Sequence, residues 1–153
     1  MSGEPKIVLF LCTGNYFRSR FSEELFNHWA ARLNLNWHAE SRGLMRDMSK
    51  LKAQNVGKIS RHTLDALQMR GINPRASGRW PLSVNRDELE FAHLTIALKE
   101  AEHRPMMDQH FPDLAERINY WAVDDIDVLP PKHCIAQAEE KLLALLQELR
   151  RQA

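Results

Sequence analysis

One short segment near the N-terminus combines a nucleophile, an anion-binding side chain and residue types that suit a tight turn. It reads Cys12-Thr13-Gly14-Asn15-Tyr16-Phe17-Arg18-Ser19. A cysteine thiolate is a strong nucleophile, and a guanidinium donates two parallel hydrogen bonds to two phosphoryl oxygens. The pair Cys12 and Arg18 therefore predicts chemistry on a phosphate ester. Cys12 would attack phosphorus and form a phosphocysteine, which water later hydrolyses.

The residues around this segment predict how it is positioned. The apolar run over residues 7–11 predicts a strand buried on both faces, and apolar residues at steps of four over 19–33 predict an amphipathic helix. A loop between such elements directs several backbone N–H groups into one concavity, and the helix N-terminus adds a positive field. Gly14 allows a tight turn, and Asn15 tolerates a positive φ better than most residues.

These features define a predicted phosphate cradle above the cysteine. Ser19 is placed to hydrogen-bond the sulfur, and the positive field favours the thiolate form of Cys12. The alternative interpretation is a buried cysteine in an ordinary strand-to-helix turn, with Arg18 on the surface. The residues expected to bind the phosphate are Thr13, Gly14, Asn15, Tyr16, Phe17, Arg18 and Ser19.

A carboxylic acid is also needed, because the leaving oxygen of a phosphate ester must be protonated. Asp124, Asp125 and Asp127 follow a predicted fourth strand, at the same sheet edge as Cys12. Their position makes all three candidates, although aspartates after a strand also commonly solvate a loop or cap a helix.

Strands alternate with helices along the rest of the chain. Strands are predicted over residues 7–11, 35–41, 91–98 and 118–123, and helices over 19–33, 60–69, 99–110 with an interruption at Pro105, and from Pro130-Pro131 to the end. Residues 43–58 and 71–82 are predicted to be loops. Ser60 is predicted to cap its helix, with Leu64 and Leu67 facing inward. This alternation indicates an α/β fold: one domain over residues 1–153, with a parallel sheet covered by helices on both faces.

The cysteine segment also resembles a known signature. Val8-Leu9-Phe10-Leu11-Cys12-Thr13-Gly14-Asn15 followed by Arg18-Ser19 resembles the signature of the low-molecular-weight protein tyrosine phosphatase family, and the similarity runs over nearly the whole chain. The resemblance implies a flavodoxin-like fold with a four-stranded parallel sheet, and a phosphatase without a metal or an organic cofactor. It also implies that Asp125 is the general acid, with Asp127 and Asp124 as second and third choices.

Several positions depart from the family pattern. Phe17 stands where the family usually has a second cysteine, and Arg20 replaces a common proline. Tyr16 replaces the isoleucine that is common there, or the threonine of arginine-phosphatase relatives. Residues 126–128 (Ile-Asp-Val) replace the proline and the aromatic residues that sandwich the substrate ring in the family. The side-chain specificity therefore stays open.

Composition narrows the possible partners. The net charge of +1 gives no electrostatic reason to expect nucleic acid or a membrane, and the longest apolar run is far below the ~20 residues of a membrane-spanning helix. The histidines are scattered, so no metal site is expected. Because no secretory pattern precedes the cysteine segment, we expect a cytoplasmic protein in which Cys12 and Cys134 are free thiols.

The sequence favours a phosphatase that acts on a phosphorylated protein, with phosphotyrosine as first candidate, or on a small phosphomonoester. Two alternatives stay open, and the oligomeric state is unassigned. Arsenate reduction, known in relatives of this fold, uses further cysteines as a relay, and only Cys134 is available. A non-catalytic phosphate-binding module would account for the unusual residues Tyr16, Phe17, Ile126 and Asp127.

Overall fold

A computed structural model of the chain describes residues 3–52 and 55–153. The elements along the chain are β1 (Lys6–Cys12), α1 (Arg18–Arg32), β2 (Trp37–Gly43), α2 (Ser49–Lys52), α3 (Arg61–Met69), α4 (Arg86–Phe91), β3 (Leu94–Ala97), α5 (Glu100–His110), β4 (Asn119–Tyr120) and α6 (Pro131–Gln152). Within the described residues, no helix has both the length and the apolar character to cross a bilayer.

The four strands form one parallel sheet in the order β2-β1-β3-β4, which confirms the expected α/β fold. β1 is central, and all seven of its residues pair with β2. Because neighbouring strands run in the same direction, their carboxyl ends meet at one edge, where ligands bind in such sheets. Cys12, the last residue of β1, lies at that edge.

Side chains of β1 alternate between two hydrophobic clusters, one on each face of the sheet. Val8 and Phe10 pack in the cluster that includes α1, α3 and α6, and Leu9 and Leu11 pack in the cluster that includes α4 and α5. Each of these four side chains is at most 2% exposed, and burying one contributes roughly 1.5–3 kcal/mol. A shift of the strand by one residue would exchange the two faces. This packing therefore fixes where Cys12 emerges.

The helices predicted from strong periodicity and capping are present. Ser60 caps α3, where its hydroxyl oxygen accepts a hydrogen bond from the His62 N–H at 3.1 Å. Leu67 is buried as expected, whereas Leu64 is only half-buried because Thr63 and Ala66 take the inward positions. The last helix, α6, runs over the predicted range.

The predicted third strand is too long at its N-terminal end. Phe91 belongs to α4, a helix that the sequence analysis did not predict, and β3 begins only at Leu94. A capping box starts α4: the Asn85 side chain accepts from the Glu88 N–H at 2.8 Å, and the Glu88 carboxylate accepts from the Asn85 N–H at 3.0 Å. These reciprocal bonds satisfy the helix start and favour helix over strand.

The predicted interruption at Pro105 is wrong, because α5 continues through it to His110. A proline inside a helix removes one hydrogen bond to the carbonyl four residues earlier. His103 and Met107, on either side of Pro105, are both fully buried. Their packing keeps the helix continuous despite the lost bond.

Two further boundaries differ from the prediction. The predicted loop over residues 43–58 contains the short helix α2, and its residues 53 and 54 lie outside the described part of the chain. β4 spans only two of the six predicted residues. Beyond it, Trp121 N–H donates to Ala97 O and Val123 N–H donates to Leu98 O, at 2.9 and 2.8 Å. These bonds hold the chain beside β3 as far as the carboxyl-end edge of the sheet, which it reaches just before Asp124.

Candidate active site

The loop between β1 and α1 (residues 13–17, the cysteine loop) is held through its own carbonyl groups, which accept hydrogen bonds from donors outside the loop. Hydrogen bonds reach the carbonyl oxygens of Cys12 (from Leu44 N, 2.8 Å), Thr13 (from Met45 N, 3.1 Å), Asn15 (from Arg20 Nη1, 3.3 Å), Tyr16 (from Ser60 N, 3.0 Å) and Phe17 (from Thr63 Oγ1, 2.9 Å). A planar trans peptide holds its C=O and the following N–H on opposite sides. No described peptide bond is cis. The N–H groups of residues 13, 14, 16, 17 and 18 therefore point away from these donors, as a nest for an anion requires.

The start of α1 reinforces this nest. Phe17 occupies the N-cap position and provides no side-chain hydrogen bond, and the first turn of α1 contains no acidic residue. The N-terminal N–H groups of a helix have no partner inside the helix and carry its positive dipole end. A bound anion is the natural partner for them here.

Asn15 supports the loop from below. Its φ of 50° confirms the expected left-handed conformation, and its side chain is fully buried. The side-chain oxygen accepts from Leu82 N–H at 3.1 Å and from Arg79 Nη1 at 2.8 Å, so the amide nitrogen must face the other way. That nitrogen donates to the hydroxyls of Ser19 and Ser41, at 2.9 and 3.0 Å. The Asn15 side chain is therefore part of the scaffold.

The Ser19 hydroxyl is placed to hydrogen-bond the sulfur, as predicted. Its oxygen accepts from Asn15 and lies 2.9 Å from Cys12 Sγ, so its own hydrogen can be donated to the sulfur when Cys12 is a thiolate. Such a donor stabilises a thiolate. Cys12 is buried, yet it lines the cavity described below.

Arg18 is buried at the same edge, which excludes the alternative of an exposed arginine. Its side chain is 3% exposed, and it donates to Val123 O at 3.1 Å, to Glu102 Oε2 at 2.8 Å and to Asp125 Oδ2 at 3.3 Å. Burial disfavours its charge, but the hydrogen bond to Glu102 and the charges of Cys12 and Asp125 outweigh burial and raise the pKa of Arg18. The guanidinium is permanently charged and fixed in orientation.

Glu102, in the first turn of α5, is the main site residue that the sequence analysis missed. Its carboxylate accepts from Arg18 and from the hydroxyl of Thr13, and His103 Nε2 lies 3.2 Å away. Burial alone would raise the pKa of Glu102, but the contacts with His103, Arg18 and Thr13 hold it well below its usual range. The sequence feature that could have identified Glu102 is its position just after the third strand, at the same sheet edge as Cys12.

His103 completes this support as a neutral side chain. Lys99 N–H donates to its Nδ1 at 3.0 Å, so Nδ1 is an acceptor and the ring proton sits on Nε2. Burial lowers the pKa of His103 despite the adjacent carboxylate of Glu102. Its Nε2–H therefore points at Glu102 and at the Thr13 hydroxyl, which is 3.1 Å away.

Tyr16 and Phe17 contribute walls besides their backbone N–H groups. The Tyr16 hydroxyl donates to Val56 O at 2.5 Å, and this contact fixes the segment of residues 55–60 beside the loop. The Phe17 ring is buried and meets the His62 ring edge-on, at 6.0 Å between centroids. Neither residue provides a second thiol next to Arg18.

Two glycines, Gly14 and Gly43, lie close to neighbouring segments, and Gly43 is the one that meets backbone atoms. A Cβ at Gly14 would lie 2.8 Å from Leu51 Cδ1, the end of a flexible side chain in α2, and Gly14 is not among the residues with a positive φ. A Cβ at Gly43, the end of β2, would lie 2.7 Å from Thr13 O and 3.2 Å from Asn15 N. The end of β2 can therefore touch the cysteine loop only without a side chain.

A cavity of about 390 Å³ opens above the cysteine loop. Cys12 and Arg18 are at its polar base. Its apolar lining includes Tyr16, Phe17, Leu51, Val56 and Ile126, and its polar lining includes Ser60, Arg61, His62 and Asp125. The cavity thus combines an anion-binding base with largely apolar walls.

The three candidate aspartates have different surroundings. Asp125 lines the cavity, its carboxyl is 37% exposed, and its Oδ1 accepts from Ile126 N–H at 2.8 Å. Asp124 pairs with Lys99 Nζ at 2.8 Å and with Gln137 Nε2 at 3.1 Å, and the hydrogen bonds from Lys99 and Gln137 lower its pKa. Asp127 is exposed. Asp124 therefore anchors the loop, and Asp125 is the one of the three aspartates that lines the cavity.

The remaining thiol and possible metal ligands do not join the site. Cys134 is buried in α6, where its Sγ lies 3.5 Å from Leu129 O, and burial raises its pKa. Both cysteines are free. Within residues 3–52 and 55–153, no group of three or more His, Cys, Asp or Glu side chains is arranged to hold a metal ion.

Comparison with known proteins gives consistent similarities. The family model described as low molecular weight phosphotyrosine protein phosphatase matches residues 7–153. A protein-arginine-phosphatase of Bacillus subtilis (strain 168) is 27% identical over 153 residues, covering 95% of each chain. The crystal structure of a low molecular weight protein tyrosine phosphatase from T. tengcongensis has a TM-score of 0.73 at 25% identity, covering 97% of this chain and 99% of that chain. An arginine phosphatase structure from Geobacillus stearothermophilus has the same fold, with a TM-score of 0.72 at 20% identity, covering 97% and 95% of the two chains.

Glu102→Gln is expected to destabilise the protein by roughly 1–3 kcal/mol, because the buried Arg18 then loses its closer anionic partner and keeps only Asp125, at 3.3 Å. Glu100→Gln is the matched control: it lies in the same first turn of α5, and its side chain is 62% exposed. That change is expected to stay within about 0.5 kcal/mol of the wild type. Urea unfolding measures the stability of both variants. Equal free energies of unfolding for the two would contradict the role of Glu102 in supporting Arg18.

Proposed function

The chain belongs to the low molecular weight phosphotyrosine protein phosphatase family, and we propose that it is a cysteine-dependent phosphatase that hydrolyses a phosphomonoester on a protein side chain. The observation that carries this proposal is the position of Cys12 Sγ beside inward-facing N–H groups and the Arg18 guanidinium. The carboxyl of Asp125 borders the same cavity. We extend the proposal to residues 1–153 as one phosphatase domain.

The first step of the proposed reaction is attack by the Cys12 thiolate on phosphorus. A sulfur–phosphorus bond forms while the bond from phosphorus to the leaving oxygen breaks. The phosphoryl oxygens accept hydrogen bonds from the N–H groups of residues 13, 14 and 16–18 and from Arg18, whose fixed orientation suits the charge of the transition state. Asp125, in its protonated form, gives its proton to the leaving oxygen.

The second step removes the phosphoryl group from sulfur. Asp125, now a carboxylate, takes a proton from a water molecule that attacks phosphorus, and the sulfur–phosphorus bond breaks. Inorganic phosphate leaves, and Cys12 returns as a thiolate. The Ser19 hydroxyl, 2.9 Å from Sγ, stabilises the sulfur as a leaving group.

The cavity walls favour an aryl phosphate, with phosphotyrosine as the first substrate class. Tyr16, Val56 and Ile126 provide apolar surface on which an aromatic ring can pack. The relationship to a protein-arginine-phosphatase makes phosphoarginine the second candidate. A guanidinium leaving group is polar and needs acceptors. Among the described residues that line the cavity, Asp125 is the single carboxylate, and it already contacts Arg18.

Cys12 must stay a free thiol to act as the proposed nucleophile, and thiols stay reduced in a reducing compartment. We therefore propose that the protein is cytoplasmic.

Purified protein is expected to hydrolyse p-nitrophenyl phosphate and phosphotyrosine peptides without added metal, and to hydrolyse phosphoarginine peptides more slowly. Cys12→Ser should reduce turnover on the order of 10⁴-fold or more, because no comparable nucleophile replaces the thiolate. The release of inorganic phosphate gives the hydrolysis rate for all three substrates. A folded wild type that binds inorganic phosphate without turnover would contradict the enzyme and support a binding module. Faster hydrolysis of phosphoarginine would contradict the aryl preference.

Asp125→Asn is expected to lower kcat/KM for phosphotyrosine by about 10²–10³-fold, because the leaving oxygen loses its proton donor. The loss should be smaller for p-nitrophenyl phosphate, whose leaving group needs less help from an acid. Asp127→Asn, in the same loop but exposed, is the matched control and should keep near wild-type kinetics. The assignment of the acid fails if Asp127→Asn shows the larger loss, or if the loss in Asp125→Asn is independent of the leaving group.

A further inference from the structure

Arg20 is a second buried arginine next to the cysteine loop, and the proposed reaction does not use it directly. It is the third residue of α1, at the position where the family commonly has proline, and its side chain is 1% exposed. Burial and the nearby charge of Arg79 lower the pKa of Arg20 to about 10. The guanidinium is therefore still charged at neutral pH, and its polar atoms need partners inside the protein.

Those partners are four backbone carbonyl oxygens from three separate segments. Nη1 donates to Asn15 O in the cysteine loop at 3.3 Å and to Lys58 O at 3.1 Å. Nη2 donates to Ala76 O at 2.8 Å and to Arg79 O at 3.1 Å. One side chain thus joins the cysteine loop, the 55–60 segment beside the cavity and the loop that precedes α4.

The bond to Asn15 O determines the direction of one N–H group. The peptide that links Asn15 and Tyr16 is planar, so holding its carbonyl toward Arg20 directs the Tyr16 N–H to the opposite side, into the nest. Asn15 has a positive φ of 50°, which a non-glycine residue seldom adopts. A rotation of this peptide would remove one donor from the nest and point a carbonyl oxygen at the bound anion.

We propose that Arg20 is a positioning residue of the phosphate site: it holds the Asn15–Tyr16 peptide so that the Tyr16 N–H faces the phosphoryl oxygens. This inference rests on the proposed function. The two other segments that Arg20 holds also contact the same part of the loop, because Ser60 N–H donates to Tyr16 O and Arg79 donates to the Asn15 side chain. Arg20 therefore acts where these three segments meet.

Lysine cannot replace arginine in this arrangement. Two of the three nitrogens of the planar guanidinium, Nη1 and Nη2, each face a pair of carbonyl oxygens. A lysine ammonium keeps the charge but has a single nitrogen. Arg20→Lys thus separates the geometry of the guanidinium from its charge. Arg32→Lys, in the last turn of the same helix, is the matched control, since Arg32 is exposed and contacts only His28 among the described hydrogen-bond partners.

The test is a titration with inorganic phosphate, followed by the amide signals of the cysteine loop in ¹H–¹⁵N NMR spectra. In the wild type, the amide signals of both Gly14 and Tyr16 should shift. In Arg20→Lys, the Tyr16 shift should be largely lost while the Gly14 shift persists, because Met45 still holds the carbonyl before Gly14. The dissociation constant for phosphate should rise about ten-fold, as expected for one lost hydrogen bond to a charged group.

The outcomes separate this inference from the proposed function. A wild type that neither turns over phosphate esters nor binds phosphate rejects the function itself. An active wild type, with Arg20→Lys matching Arg32→Lys in phosphate affinity and in the Tyr16 shift, overturns the role of Arg20. Equal loss of the Gly14 and Tyr16 shifts also overturns it, because that pattern indicates general disruption. If Arg20→Lys does not fold, the same comparison is made with Arg20→Gln, which carries no buried charge and should show the same selective loss.

Discussion

The planarity of the peptide bond is the constraint on which the site depends. Carbonyl oxygens of the cysteine loop are bonded to residues outside it, so the N–H groups that follow them must face inward. Three of the donors to these carbonyl oxygens are backbone N–H groups, and two are side-chain groups, Arg20 Nη1 and Thr63 Oγ1. What is needed is a surrounding scaffold with donors at the right places, and that scaffold comes from segments far apart in sequence, including residues 44–45 and 60–63.

The charges around the nest are arranged to keep Arg18 available for an anion. Buried cations are costly without a partner, and Glu102 provides one from the side, supported by Thr13 and the neutral His103. Arg18 is thereby fixed in the protein before a substrate arrives, and little reorganisation is needed on binding. Preorganised donors of this kind contribute most to catalysis when charge develops on phosphoryl oxygens.

Local patterns predicted much of this arrangement from the sequence. The uninterrupted apolar run of β1 and the helical periodicity of α1 located the cysteine loop, and Asn15 has the predicted positive φ. The capping signal at Ser60 also predicted its helix. By contrast, α4 was missed although Asn85 and Glu88 form a capping box, because an apolar run beginning at Phe91 was interpreted as strand.

The support of the site was not predictable in the same way. Glu102, His103 and Arg79 reach Thr13, Arg18 and Asn15 across more than sixty residues of sequence, and only the folded sheet edge brings them together. Arg20 was visible as a departure from the family pattern, but its four carbonyl partners lie in loops without a periodic signal. Such contacts follow from tertiary packing, and no local rule encodes them.

The most direct measurement is a crystal structure of the protein with vanadate, which mimics a phosphoryl group in transfer. The account predicts vanadium bonded to Cys12 Sγ, with its oxygens within hydrogen-bond distance of the N–H groups of residues 13, 14 and 16–18 and of the Arg18 guanidinium. Vanadate bound elsewhere, or bound to the sulfur with these N–H groups turned away, would contradict it.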